Sequence, residues 1–410
     1  MATRKRISAV LAAGLGFYLC AVAAMIGLLG FTRLWYGFFD LSDIEVYYRY
    51  AMALDVGRRP YVDFPAEYPF LVLRLFDLPG HPADLPEYEK WFAFVMLVAM
   101  GAAAAFTSSA ADRLWPRHRD ALVSAGVFAL SVLALGAIVA NRFDAAVALC
   151  IAVSLWAVSR RRFAVAGVAL GLGAALKLMP VVLLPLPLLL GRRRRDRAQT
   201  VVGFCVAALT PFIADGIVAW DGLVSVFRYH GARPVQIESV LATPLLLANL
   251  AGIVELKIDN AFGSQVLSGP GASTLAPLSA VFAAVSFGVV VVLARKARLR
   301  GMNEQRWVAL CGTALLLSVM VPSKVLSPQY LVWLVPCVAL LAPSSHGLAA
   351  VLFGALLLTG IEFPALYWDF VKRDAGPVLL VAARNLALVV AFGWSVILLA
   401  TNSSAVAKSS

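Results

Sequence analysis

Apolar runs long enough to cross a lipid bilayer recur from Ile7 to Ala400, and few folds are open to a chain built this way. Hydrocarbon offers no partner for an exposed amide, so each run must satisfy its own backbone as a helix or close into a barrel with its neighbours. A barrel needs short segments of alternating hydrophobicity, which these runs do not show. With 61% hydrophobic and 14% charged residues, the chain cannot hide its apolar surface in the cores of soluble domains, which carry about 25% charged residues. The expected fold is therefore all-α, a polytopic integral membrane protein forming one domain over residues 1–410. Cys20, Cys150, Cys205, Cys311 and Cys337 all lie inside apolar runs without CxxC pairing, which points neither to a disulfide framework nor to a metal site.

Basic clusters orient the runs, because loops rich in Lys and Arg stay in the cytoplasm. Arg4 to Arg6, Arg113 to Arg119, Arg160 to Arg162, Arg192 to Arg197 and Arg295 to Arg306 all mark that side. About 12 transmembrane helices result, near residues 7–31, 91–111, 121–140, 145–159, 163–177, 178–191, 199–217, 276–294, 307–321, 329–343, 346–361 and 377–400, with both termini cytoplasmic. The run from Ile7 to Phe31 is too long for a signal peptide and reads as the first span. Pro180, Pro185 and Pro187 predict a broken helix. Residues 240–254 are read as a re-entrant or interfacial helix, since a span there would put the cluster at residues 295–300 outside; the segment after it has turn composition. The net charge of +12 then follows from topology: it suits an anionic inner leaflet and gives no reason to invoke nucleic acid.

The long loops face outward, at residues 32–90, 218–275 and 362–376, so function is expected there. Ten of the 23 acidic residues fall between Arg33 and Lys90. Asp43, Tyr47 and Tyr50 recur at i, i+4 and i+7, which predicts a helix from Ser42 to Val56 with a carboxylate and two phenols on one face, capped by Ser42 or Asp40. An amphipathic helix resting on lipid headgroups would give the same pattern. Other ionisable or polar groups sit at outward span ends, where they are costly to keep: Arg142, Asp144, Lys177, His230, Arg233, Lys324 and Gln329. Each has an ordinary explanation, such as an Arg142–Asp144 ion pair or a snorkelling Lys177. Together they outline a ring of cations beside a carboxylate, which suits a phosphate carried on a lipid tail.

The Asp43 loop, NRFDAAVALC, GLGAALKLMPVVLLPLPLLLGRRRR and SPQYLVWLVP, in that order, resemble glycosyltransferase family 87 of the C-type membrane glycosyltransferases. The resemblance spans nearly the whole chain, with Lys177 to Pro180 and Ser327 to Tyr330 its most specific pieces. The sequence departs from the family at YPF, residues 68–70, where relatives often have YPP. The resemblance implies transfer of a sugar, typically mannose, from a polyprenyl-phosphate donor to a lipid or glycan acceptor at the outer face of the cytoplasmic membrane. It also implies that the acidic residue of the first outer loop is the catalytic base, which maps onto Asp43 with Asp40 as close competitor.

A single general base fits an inverting, one-step transfer. Lys177, Arg233, His230, Lys324 and Arg142 are the candidates for holding the donor phosphate, and Tyr47, Tyr50, Glu67, Asp144 and Gln329 for holding sugar or acceptor. Tyr48, Tyr61, Trp333 and Trp368 add ring faces suited to sugars. No cofactor and no metal motif is indicated, although Glu45 and Glu67 leave room for a weakly held divalent cation. Two rival classes remain at this level, a transporter or flippase of lipid-linked sugars and a non-enzymatic envelope assembly protein. The absence of half-chain repeats disfavours the first.

Overall fold

The computed structural model describes residues 2–31, 41–80 and 82–401. Helix α1 (Ala2–Phe31) leads to the first predicted outer loop, where α2 (Ile44–Asp55) and α3 (Phe70–Phe76) form. Next come α4 (Leu85–Leu114), α5 (His118–Leu135), the single turn α6 (Ile138–Asn141), α7 (Asp144–Ser159) and α8 (Phe163–Leu176). A 3-10 segment at Met179–Leu183 and α9 (Pro185–Leu190) realise the expected broken helix, with prolines at the first turn of each piece, where no amide is lost.

Helix α10 (Arg194–Ala232) is longer than expected: it continues through Pro211 and takes up the first part of the segment predicted as an outer loop from residue 218. Residues 240–254 contain a short 3-10 turn and α11 (Thr243–Leu250), which is too short to cross a bilayer. The turn-rich stretch that follows is a hairpin, β1 (Lys257–Ala261) paired antiparallel with β2 (Ser264–Ser268), with Lys257 opposite Ser268. Its two-residue loop, Phe262 and Gly263, has φ of 54° and 64° at the two positions, as the turn that matches strand twist requires. The remaining helices are α12 (Ala272–Leu299), α13 (Glu304–Met320), α14 (Val335–Leu341) after a 3-10 segment at Pro328–Leu334, α15 (His346–Glu362), α16 (Tyr367–Val371) and α17 (Ala375–Ala400).

Among the described residues, α1, α4, α5, α12 and α17 are long and apolar enough to cross a membrane, by length and composition. The span expected at 199–217 lies within the long helix α10, and the remaining expected spans are short helices or 3-10 and α pieces in series. Packing is inside out. The most apolar window of α12 has a mean hydropathy of 2.3, yet only 11% of it is buried, and Val281, Phe282, Val285 and Val292 are exposed. Such a face is a liability in water and at home in lipid. By contrast α13 and α14 lie almost wholly within the core.

Helices α8 and α10 meet through glycines. A Cβ at Gly167 would fall 2.2 Å from the Thr200 carbonyl oxygen, and one at Gly203 would fall 2.6 Å from that of Ala164. Small residues allow backbones to approach this closely where lipid supplies no hydrophobic force between helices. The contact fixes the helix that ends at Lys177 against the one that ends beside Arg233. A second, smaller core forms separately: Val235 and Ile237 pack with Leu246, Leu267, Phe370 and Val381. There the backbone of residues 235–237 runs along the hairpin, Leu267 N–H donating to Val235 O at 2.8 Å and Ile237 N–H to Gln265 O at 3.2 Å.

Candidate active site

The acidic loop begins its helix one residue after Asp43. The observed α2 is shorter than the predicted Ser42–Val56 by its ends only, and Ser42 Oγ accepts the Ile44 N–H at 3.3 Å. Asp43 makes no capping bond, so its carboxylate remains free for side-chain partners. Tyr47, one turn on, donates its hydroxyl to Asp43 Oδ2 at 3.4 Å while its ring stacks on Phe76 at 4.0 Å. Asp40 lies outside the described residues.

Arg142 forms the other wall. The sequence offered an ion pair with Asp144; instead Arg142 Nε stands 3.5 Å from Asp43 Oδ2 and Nη2 donates to Leu41 O at 2.7 Å. Arg142 follows α6 as its cap while Asp144 is the first residue of α7, and each finds its partner on another segment. Asp144, fully buried, accepts Lys177 Nζ at 2.8 Å and the Trp333 indole N–H at 2.7 Å. Lys177 is the cap of α8 and lies over the rings of Phe143, Tyr330 and Trp333 at 4.6, 4.7 and 5.1 Å. Trp333, expected to offer a face to sugar, is buried beneath Tyr330, with their centroids 4.4 Å apart. Trp368 stands on α16 with half its surface exposed, away from these residues.

A cavity of about 520 Å³ opens between these elements. Asp43, Tyr47, Tyr50, Glu67, Lys177, His230, Arg233 and Gln329 all line it, so eight of the predicted site residues from four distant segments meet here. Asp144 reaches it only through Lys177. Lys324 lines an adjoining groove together with His230 and Arg233, and its Nζ donates to Gly231 O at 2.7 Å. Arg142 does not line the large cavity; it lines a smaller one behind Asp43, of about 200 Å³, with Gln236, Glu238 and Tyr367. Glu45 is exposed and lines neither, so it does not join Glu67. Among the described residues no group of three or more His, Cys, Asp or Glu is placed to hold a metal ion.

The electrostatics favour an anion on the large-cavity side. Arg233 Nη2 donates to Ser264 Oγ at 2.9 Å, while its buried Nε has no partner. Burial and then the charge of Arg233 push His230 below the usual imidazole range, and the same two causes lower Lys324. Each added cation is therefore costly here until a negative charge arrives. On the carboxylate side, burial first and the charge of Asp43 second push Tyr68 up, so the phenol stays protonated.

Several contributors escaped the sequence reading. Tyr68, Phe143, Tyr229 and Phe262 also line the cavity, as do Ser327 and Tyr330, which the sequence marked as part of the family resemblance without a site role. Deeper in lies a buried ionisable group, Glu238, Glu362 and Arg384. Arg384, a lone cation inside an otherwise apolar run, is the sequence signal that could have pointed to it.

No curated protein matches the chain. The crystal structure of ArnT from Cupriavidus metallidurans bound to undecaprenyl phosphate is similar at 15% identity and a TM-score of 0.48, over 94% of this chain and 77% of that one. Residues 78–328 match the family model for glycosyltransferase family 87, a stretch that holds Lys177, His230, Arg233 and Lys324 and begins after Asp43. This multi-pass helical membrane protein belongs to glycosyltransferase family 87.

Proposed function

We propose that the protein transfers a sugar, with mannose the expected one, from a polyprenyl-phosphate donor to a hydroxyl of a lipid or glycan acceptor. Transfer takes place on the outer face of the cytoplasmic membrane, in a chain that crosses about 12 times with both termini inside. One observation carries the reading: Asp43 lines two cavities at once, with Lys177, His230 and Arg233 around the larger. A base thus stands between a cation-lined space and a second space from which a hydroxyl can approach.

In the step itself the acceptor oxygen bonds to the anomeric carbon as the bond from that carbon to the phosphate oxygen breaks. The electron pair leaves with the polyprenyl phosphate, and the acceptor proton passes to Asp43. Displacement in one step inverts the anomeric carbon. Proton removal by a positioned base is worth roughly 10²- to 10⁴-fold. Lys177, His230, Arg233 and Lys324 offset the charge that grows on the phosphate. Arg142, 3.5 Å from Asp43 and bonded to Leu41 O, holds the base in place.

The decisive experiment uses protein reconstituted in lipid nanodiscs with polyprenyl-phosphate mannose. Asp43→Asn should lower sugar transfer by about 10²-fold or more while undecaprenyl phosphate still binds. Full activity in Asp43→Asn moves the role to Asp40, and full activity in Asp40→Asn as well ends the mechanism. A flippase of lipid-linked sugars would show no transfer in the wild type.

A further inference from the structure

The smaller cavity shares Asp43, Gly263, Ser327 and Gln329 with the large one but is otherwise built differently, without Lys177, His230 or Arg233. Its volume of about 200 Å³ equals that of some seven waters at roughly 30 Å³ each, the scale of a single sugar ring. Ser42, Gln236, Glu238, Ser264 and Tyr367 supply hydroxyl, amide and carboxyl groups, and Phe363 supplies an apolar face. Its one cation, Arg142, is already paired with Asp43, so nothing here favours a phosphate. The mixture of hydrogen-bonding edges and one flat face suits an uncharged cyclic polyol.

Glu238 is the group that calls for a ligand. It is 1% exposed, its Oε2 accepts from the Gln236 amide, and its Oε1 has no hydrogen-bond partner. Buried carboxyl oxygens are rarely left so, because an unmet polar atom keeps its full desolvation penalty. The main chain that carries it is held in place. Arg384 Nη2 donates to the Glu238 backbone oxygen, and Asn385 Nδ2 bonds both that oxygen and Ser239 O at 3.2 Å. From below, Gln236 bonds Ser327 Oγ at 3.0 Å and receives the Leu326 N–H at 3.1 Å, which ties the carboxyl to the loop carrying Gln329. Burial, then the charge of Glu362, pushes Glu238 above the usual carboxylate range, so it can donate as well as accept toward a hydroxyl.

We propose that Glu238, with Tyr367, recognises the hydroxyls of a cyclic polyol ring of the acceptor and so decides which acceptor hydroxyl is presented to Asp43. The assignment to the acceptor rests on the transferase reading above; the polyol site itself does not. The two cavities share Asp43, Gly263, Ser327 and Gln329, so an acceptor ring in the smaller one would lie next to the base, while Lys177, His230 and Arg233 line only the other.

The test measures binding, with wild-type protein and the Glu238→Ala and Tyr367→Phe variants in phosphatidylcholine nanodiscs. Methyl α-mannopyranoside, methyl α-glucopyranoside and myo-inositol are titrated by saturation-transfer NMR, and undecaprenyl phosphate is titrated separately. The expected result is saturable binding of at least one polyol to the wild type, weakened about tenfold by Glu238→Ala and about threefold by Tyr367→Phe, with undecaprenyl phosphate bound equally by all three. If Glu238→Ala does not fold, Tyr367→Phe carries the comparison. The proposal is overturned if no polyol binds the wild type, if the variants that fold bind polyol as the wild type does, or if polyol and undecaprenyl phosphate are lost in parallel. Polyol binding without undecaprenyl phosphate binding in the wild type would sink the transferase reading alone.

Discussion

Lys177 Nζ donates to Asp144 Oδ1 at 2.8 Å, and the same carboxylate oxygen takes the Trp333 N–H at 2.7 Å. One buried acid therefore joins the end of α8, the start of α7 and the segment before α14, and it aims the lysine at the cavity that Asp43 lines.

Breaking this pair from one side should be worse than removing it. Asp144→Leu leaves a largely buried ammonium without its partner and should cost about 3–5 kcal/mol, whereas Asp144→Leu with Lys177→Met should recover much of that stability. Thermal unfolding of the three variants in one detergent measures the coupling. Additive losses would show that the pair is not coupled.

Lys177→Gln should act mainly on the donor. If Lys177 meets the phosphate, kcat/KM for a polyprenyl-phosphate sugar falls by about 10- to 10³-fold, and Lys177→Arg recovers only part of it, since a planar guanidinium does not fit the three rings as an ammonium does. Steady-state kinetics at varied donor concentration reads this out. An unchanged kcat/KM would remove Lys177 from the donor site.

His230 predicts a pH dependence. Its folded value is pushed below the unfolded one by burial and Arg233, so the unfolded chain takes up the proton first. Its contribution to stability is then intact above the ordinary histidine value of about 6.5 and is lost as pH falls below it through the lowered folded value. Melting temperature measured between pH 7.5 and 5 should fall less steeply in His230→Gln than in the wild type.

The α8–α10 contact should tolerate no side chain. Gly167→Val would drive a methyl into the Thr200 carbonyl and is expected to abolish monodisperse, folded protein. Gly126→Ala, where nothing lies within 4 Å of the added carbon, should be neutral or stabilising by about 0.5–1 kcal/mol. Size-exclusion profiles and thermal unfolding separate the two.

Sidedness is open to direct labelling. Val62 and Leu299 are 45% and 77% exposed; Val62 lies in the loop read as outer, and Leu299 ends α12 at the connection read as inner. In a background without Cys20, an impermeant maleimide applied to intact cells should label Val62→Cys at once and Leu299→Cys only after permeabilisation. The reverse pattern would invert the proposed orientation.

What could be read from the linear chain was whatever depends on solvent and on near neighbours. Hydrocarbon forces apolar runs into helices wherever they occur, so helices lie at every predicted span and the breaks fall at Pro180 and Pro185. The i, i+4, i+7 spacing put Asp43 and Tyr47 on one face of α2 because helical periodicity is local. Partnership across the chain was not legible. Arg142 and Asp144 are neighbours in sequence, yet each pairs elsewhere, with Asp43 and with Lys177, because an ion pair is decided by where helix ends come to rest. The hairpin at residues 257–268 was hidden by turn composition, and its role in holding Gln236 and Glu238 beside the Asp43 carboxylate depends on backbone pairing between segments. Chemistry was thus legible as a supply of charges at span ends. Only tertiary packing decided which of them face one another, since contacts between residues 101 or 189 positions apart leave no periodic trace in the sequence.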